Sequence, residues 1–255
     1  LTVDWASYMW VSVHATFAVL AETGMRKGDV SRATAKTPFT RGRLTFGKLV
    51  WLIAGVKTAA PTVDQLRGLK PGDGCWLTFG VLKNDAFGEH FGSKPSWLPY
   101  SADAPRNACR SLAALELAAA ATGLQAARRP DTPLFGPALG EEWYHSLLDR
   151  IFVLLLVCGA GLSPAACEAY SVHSFRIYLA CALYAANCPP ERIMAILRWK
   201  SEEALLIYAR MNDSERTGWI LRSMDQVVDS TVAAHLPRID PDEWVAALQD
   251  SLSTG

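Results

Sequence analysis

His173 and Arg176 stand three residues apart in "SVHSFRIYLACALYAAN", so on a helix both project from one face. An imidazole and a guanidinium placed together suit a phosphate or another anion. Arg26 follows "ETGM" and has Asp29 three residues on, Lys83 lies in "LKNDA", and Trp199 and Tyr208 lie nine residues apart in "RWKSEEALLIYARM". Each alone has a plainer reading: a capping histidine with a surface arginine, a locally paired loop arginine, a solvated lysine, a core tryptophan and a packed tyrosine. A tyrosine hydroxyl, with a reference pKa of about 10, attacks well only when its target is made electrophilic and its proton is removed. Two guanidiniums would do the first for a phosphodiester, because their charge persists at any working pH.

The elements that would hold these residues change character along the chain. Residues 4–22 have helical spacing and stop at Thr23-Gly24. "RLTFGKLVWLIAG" (43–55) is rich in β-branched and aromatic residues and reads as a strand. Residues 74–100 read as strand, turn, strand, with "KND" as the turn. From Asp103 onward the pattern is helical, with an Ala/Leu helix closed by Gly123, a Pro/Gly loop over 128–140 and a helix from Glu141 to about Cys158. Pro164 marks a break, a further helix runs from His173 to Asn187, and two short helices, "PERIMAILRW" and "SEEALLIYARM", follow. The fold class expected is α+β: a mainly helical catalytic domain with a small antiparallel sheet near its N-terminal half.

Half of the 255 residues are hydrophobic and a fifth are charged, a globular composition. The formal net charge of zero argues against a generic polyanion binder, yet its distribution is uneven. Residues 1–100 carry 12 Lys+Arg against 7 Asp+Glu, whereas residues 201–255 carry 4 against 10. A positive groove is compatible with that polarity. The six cysteines form no C-x-x-C pair, and buried thiols in a reducing compartment are expected. The longest apolar run, "IFVLLLVCGAGL", is too short to span a bilayer, so no membrane association is expected. The chain begins at Leu1 and is read as an intracellular fragment, nuclear if its host is eukaryotic and otherwise cytoplasmic.

Taken as an ordered set, "ETGMRKGDV", Lys83 in its hairpin, "HSFR", Trp199 and Tyr208 resemble the tyrosine recombinase (phage-integrase) family. The wording "HSFR…RWKS…YAR" is most similar to integrases of eukaryotic mobile elements such as the DIRS-type retroelements. The resemblance covers roughly residues 10–212; it departs from the family in lacking a glycine before His173 and a small residue before Trp199. It implies a catalytic domain over residues 1–212, a C-terminal helical tail over 213–255 that is either exchanged between protomers or packed on its own domain, and no N-terminal DNA-clamping domain in this chain.

The resemblance also assigns roles. Arg26, His173 and Arg176 would hold the scissile phosphate, Trp199 would donate to it or shield it, and Lys83 (or its rival Lys94) would protonate the leaving 5′ oxygen. Asp29 would orient the loop of Arg26, and Tyr208 would form a 3′-phosphotyrosyl intermediate. The implied partners are duplex DNA and further copies of the chain, as a tetramer on DNA. Neither a metal nor a cofactor is called for, since no acidic triad or P-loop occurs. Two other activities fit the same residues: relaxation of DNA in the manner of a type IB topoisomerase, and DNA binding by an inactive remnant of a mobile element.

Overall fold

The computed structural model describes residues 4, 6–39, 43–79, 95–104, 106–199, 220, 221 and 224. The chain divides into two compact units, Leu1–Arg210 and Met211–Gly255. In the second, Ile220, Leu221 and Met224 are described, and all three are exposed.

The first unit is built around α1 (Tyr8–Thr23), whose apolar and small residues extend almost all round the helix. Such a helix is stable only when covered on several sides, and α1 packs against both α4 (Ala108–Ala121) and α7 (Ser174–Ala185). Its buried serine and threonine hydroxyls are engaged, Thr23 donating to the Val19 carbonyl at 2.6 Å. Thr16 donates to the Ser12 carbonyl at 2.6 Å and accepts from the Trp143 indole at 3.0 Å, while Ser12 accepts from the Gly136 N–H at 3.1 Å. These bonds lock the long loop that follows α4 onto the central helix.

Four antiparallel strands form the sheet, in the order β2-β1-β3-β4: β1 (Leu49–Ile53), β2 (Val56–Thr58), β3 (Gly74–Leu77) and β4 (Ser96–Pro99). Alternation places Leu49, Trp51, Ile53, Cys75, Leu77 and Leu98 in the core. The opposite face carries Trp76 and Trp97, whose rings meet at a 49° tilt with centroids 4.6 Å apart, and the Lys57 ammonium lies 4.8 Å from the Trp76 ring centroid. The expected α+β class, mainly helical with a small antiparallel sheet in the first half, is the class observed.

Strand β2 was not legible in the sequence. It is joined to β1 by Ala54 and Gly55, both at positive φ (50° and 79°), a two-residue hairpin turn in which alanine stands where asparagine or glycine is usual. The short α3 (Val63–Arg67), capped by Thr62, also escapes the sequence pattern. Helix α5 (His145–Cys158) begins four residues later than expected. The reason is that Trp143 and His145 pair through their backbone with Arg32, at 2.9 Å each, which keeps this stretch extended. The outward side of α5 shows Val153 and Leu154 to solvent.

Beyond α5 come α6 (Pro164–Cys167), α7 and α8 (Pro190–Leu197). Phe17, Phe152 and Phe175 join α1, α5 and α7 through ring centroids 5.4–5.8 Å apart. A smaller apolar cluster, Ala180, Ile193, Leu197 and Trp199, fixes α8 against α7. Cys75, Cys109 and Cys167 are buried thiols, and Cys158 is exposed. Among the described residues, no helix is long and apolar enough to cross a membrane, and no group of histidine, cysteine and acidic side chains could hold a metal ion.

Candidate functional site

Three element ends meet where the sequence places its chemistry. α1 terminates at Gly24, in the left-handed region at φ 59° with its N–H on the Leu20 carbonyl. A side chain here would be strained in the backbone, and its Cβ would stand 2.3 Å from Leu197 of α8. Glycine therefore permits the close approach of α1 and α8. Directly after it, Arg26 caps the short α2 (Lys27–Val30). The Asp29 carboxylate accepts the Arg26 backbone N–H at 2.8 Å, and the Asp29 N–H donates back to the Arg26 carbonyl at 2.9 Å. Asp29 thus shapes the backbone of the loop that carries the Arg26 guanidinium. Lys27 anchors α2 on α5 through an ion pair with Asp149 at 2.8 Å.

Arg176 is on the first turn of α7 and is 4 % exposed. Its two terminal nitrogens donate to the carbonyls of Gly24 and Leu197. These carbonyls lie at the C-terminal ends of α1 and α8, where the helix dipoles are negative and acceptors lack intrahelical donors. A buried guanidinium so placed joins both helix ends and has its plane set by them. Trp199, 7 % exposed, faces this guanidinium, whose central carbon is 5.3 Å from the ring centroid. Phe175, between His173 and Arg176 in the chain, seats α7 on the aromatic trio.

His173 is exposed at the N-terminal end of α7. Its pKa is lowered from the usual 6.5, first by partial burial and then by the charges of Arg176 and Arg26. That coupling places all three groups within electrostatic reach, although Arg26 and Arg176 are 150 positions apart in the sequence. Arg26, Asp29, His173, Arg176 and Trp199 are therefore gathered at one junction. Lys83, Lys94 and Tyr208 lie outside the described residues.

One residue at this junction went unnoticed in the sequence. Arg198 ends α8 in the left-handed conformation at φ 55° and is 8 % exposed. Its Nη2 donates to the Thr23 carbonyl at 3.2 Å, and its guanidinium carbon is 3.7 Å from the Phe79 ring centroid. Burial lowers its pKa to about 10, with the Asp29 carboxylate opposing that shift and Arg26 adding to it. Neither Arg26 nor Arg198 closes an ion pair with a carboxylate among the described residues. The junction is consequently cationic and suited to an anion.

A depressed histidine pKa has a consequence for stability. Between the folded and unfolded pKa values of His173 the unfolded chain binds more protons, so stability rises with pH there and levels off above about 6.5. His14 and His145 are lowered as well and act in the same sense. Glu22 and Glu142, raised by burial, act oppositely just above the usual carboxylate range. Urea midpoints compared at about pH 7.5 and 5.5 are expected to fall less in His173→Gln than in wild type. Equal losses in the two proteins would contradict the assigned direction.

No protein-family model matches the chain, and no curated protein matches it.

Proposed function

We propose that this chain breaks and rejoins DNA strands through a transient phosphotyrosyl bond, as tyrosine recombinases do. The observation that supports this reading most is the convergence of Arg26, His173 and Arg176, from two distant sequence boxes, on one cationic junction. A phosphodiester gains negative charge as it is attacked, and preorganised guanidiniums stabilise that charge most where water is scarce. Arg26 and Arg176 hold the non-bridging oxygens, and Trp199 backs the site with a dry aromatic wall. Tyr208 attacks phosphorus, its phenolic proton passing to His173, which partial burial and then the neighbouring arginines keep neutral near pH 7. The bond from phosphorus to the 5′ oxygen breaks, and Lys83, or Lys94 in its place, protonates the departing oxygen.

The phosphotyrosyl ester retains the energy of the broken bond, so a 5′ hydroxyl from a second strand reverses the step without a nucleotide cofactor. The partner is duplex DNA, held through its phosphates by the basic first hundred residues. Recombination joins two duplexes, hence self-association on DNA, and the work is done in the nucleus of a eukaryotic host or the cytoplasm of another.

A nicked duplex that loses its 5′ fragment after cleavage tests the reading, because it traps the covalent species. The expected product is a protein–DNA adduct whose peptide map places the 3′ phosphate on Tyr208. Attachment to another residue, or no adduct from the full chain on any nicked duplex, would refute the proposal.

A further inference from the structure

Arg198 occupies a position where it is costly to place. The residue after a helix end in the left-handed conformation is usually glycine, and a side chain there costs on the order of 1 kcal/mol. Burial of a guanidinium adds a further cost unless its donors are satisfied. Nη2 has the Thr23 carbonyl, but among the described residues Nη1 is buried with no hydrogen-bond partner. A strained backbone and a buried guanidinium nitrogen with a donor to spare at one residue point to a site suited to an anion.

The surroundings say what kind. Arg198 lines a cleft of about 340 Å³ between β4 and the end of α8, together with Phe79, Trp97, Leu98, Ile196 and Glu22. Trp97 is 38 % exposed, which leaves a large aromatic face for an organic group. Glu22 is turned to α4, its carboxylate accepting the Ala108 N–H at 2.7 Å. Among the described residues that line it, one cation beside an aromatic and aliphatic wall fits the phosphate of a nucleotide or nucleic-acid strand better than a bare ion.

We propose that this cleft binds a phosphate group with Arg198 as its cation, and that the phosphate is one flanking the scissile position in bound DNA. The second half rests on the recombinase reading; the first does not. In Arg198→Gly, glycine relieves the backbone strain and so offsets part of the loss of the Thr23 and Phe79 contacts, and each variant is read against its own phosphate-free melting temperature.

The test uses the full chain with Arg26→Ala as background, so that the neighbouring cations contribute less. Inorganic phosphate is expected to raise the melting temperature of that protein and to lose this effect when Arg198→Gly is added. Phosphate giving no shift, or an equal shift with and without Arg198, would overturn the site. In the otherwise wild-type chain, Arg198→Gly is expected to make the plot of log affinity for duplex DNA against log salt shallower by about 0.9, the value of one phosphate contact. If the phosphate effect depends on Arg198 but the DNA slope does not, the cleft serves a free phosphate compound and the flanking-strand assignment falls. If the wild-type chain binds no DNA, the recombinase reading fails while the phosphate result still decides the cleft.

Discussion

Arg176→Lys is expected to slow formation of the covalent DNA adduct by at least about 100-fold, with Tyr208→Phe, expected to form none, as the zero point. Lysine keeps the charge, so the effect isolates what the guanidinium adds. The planar fork of Arg176 reaches two carbonyls at once, Gly24 at the end of α1 and Leu197 at the end of α8. One ammonium at the end of a flexible stem cannot reproduce that bridge or present a flat edge to two phosphate oxygens. Stability falls too, because a buried junction between helix ends loses a donor and leaves a carbonyl unsatisfied. The two consequences separate by measurement: adduct formation is timed at a temperature where circular dichroism shows the variant fully folded. A folded Arg176→Lys within about tenfold of the wild-type rate, less than one oxyanion-type donor contributes, would remove Arg176 from the chemistry and leave it a structural bridge.

That double use of Arg176 marks the boundary of what the sequence discloses. H-x-x-R spacing places two polar groups on one helical face, and such faces normally meet solvent. Nothing local in "HSFR" says that Arg176 is buried while His173 is exposed; the difference arises because the ends of α1 and α8 close over the second position. Gly24 reads in the sequence as a helix stop, which it is, but its tolerance of Leu197 depends on a contact 173 positions away. Arg198 was hidden for a related reason. A cation beside a tryptophan at the end of an amphipathic helix reads as the solvated edge of that helix, and its left-handed backbone emerges only once the C-terminal turn of α8 is formed.

The fold was more legible where periodicity is long. The extended apolar stretch of α1 and the Ala/Leu run of α4 exceed three turns, and the pairing of β3 with β4 follows two clear extended runs. Short elements set by two or three residues were missed, β2 by its unusual Ala-Gly turn and α3 by its length. α5 starts later than its helical spacing suggests because a backbone bridge to Arg32, formed across more than a hundred residues, competes with helix formation at Trp143.

The largest loss of stability is expected far from any proposed chemistry in sequence, at Glu116. This carboxylate is 3 % exposed on α4 and takes both terminal nitrogens of Arg129, at 2.8 and 2.5 Å, as well as the Trp51 indole at 3.2 Å. Arg129 is itself 7 % exposed, reaches the Phe46 carbonyl at 3.3 Å, and sits in a 3₁₀ turn (Ala126–Asp131) that packs against Gly47. The pair therefore ties helix, sheet and loop through one buried charge network. Glu116→Ala leaves Arg129 charged, buried and without its counter-ion, and the indole without its acceptor. A loss of about 3–5 kcal/mol in unfolding free energy is expected from urea denaturation. Most of that is the cost of an orphaned charge and not the worth of the pair, because two desolvated ions gain little over a well-packed apolar pair. The double variant Glu116→Leu/Arg129→Met should accordingly recover most of the loss. A single variant within about 1 kcal/mol of wild type would show that Arg129 escapes to solvent through its loop. A double variant no better than the single would instead assign the stability to the network itself.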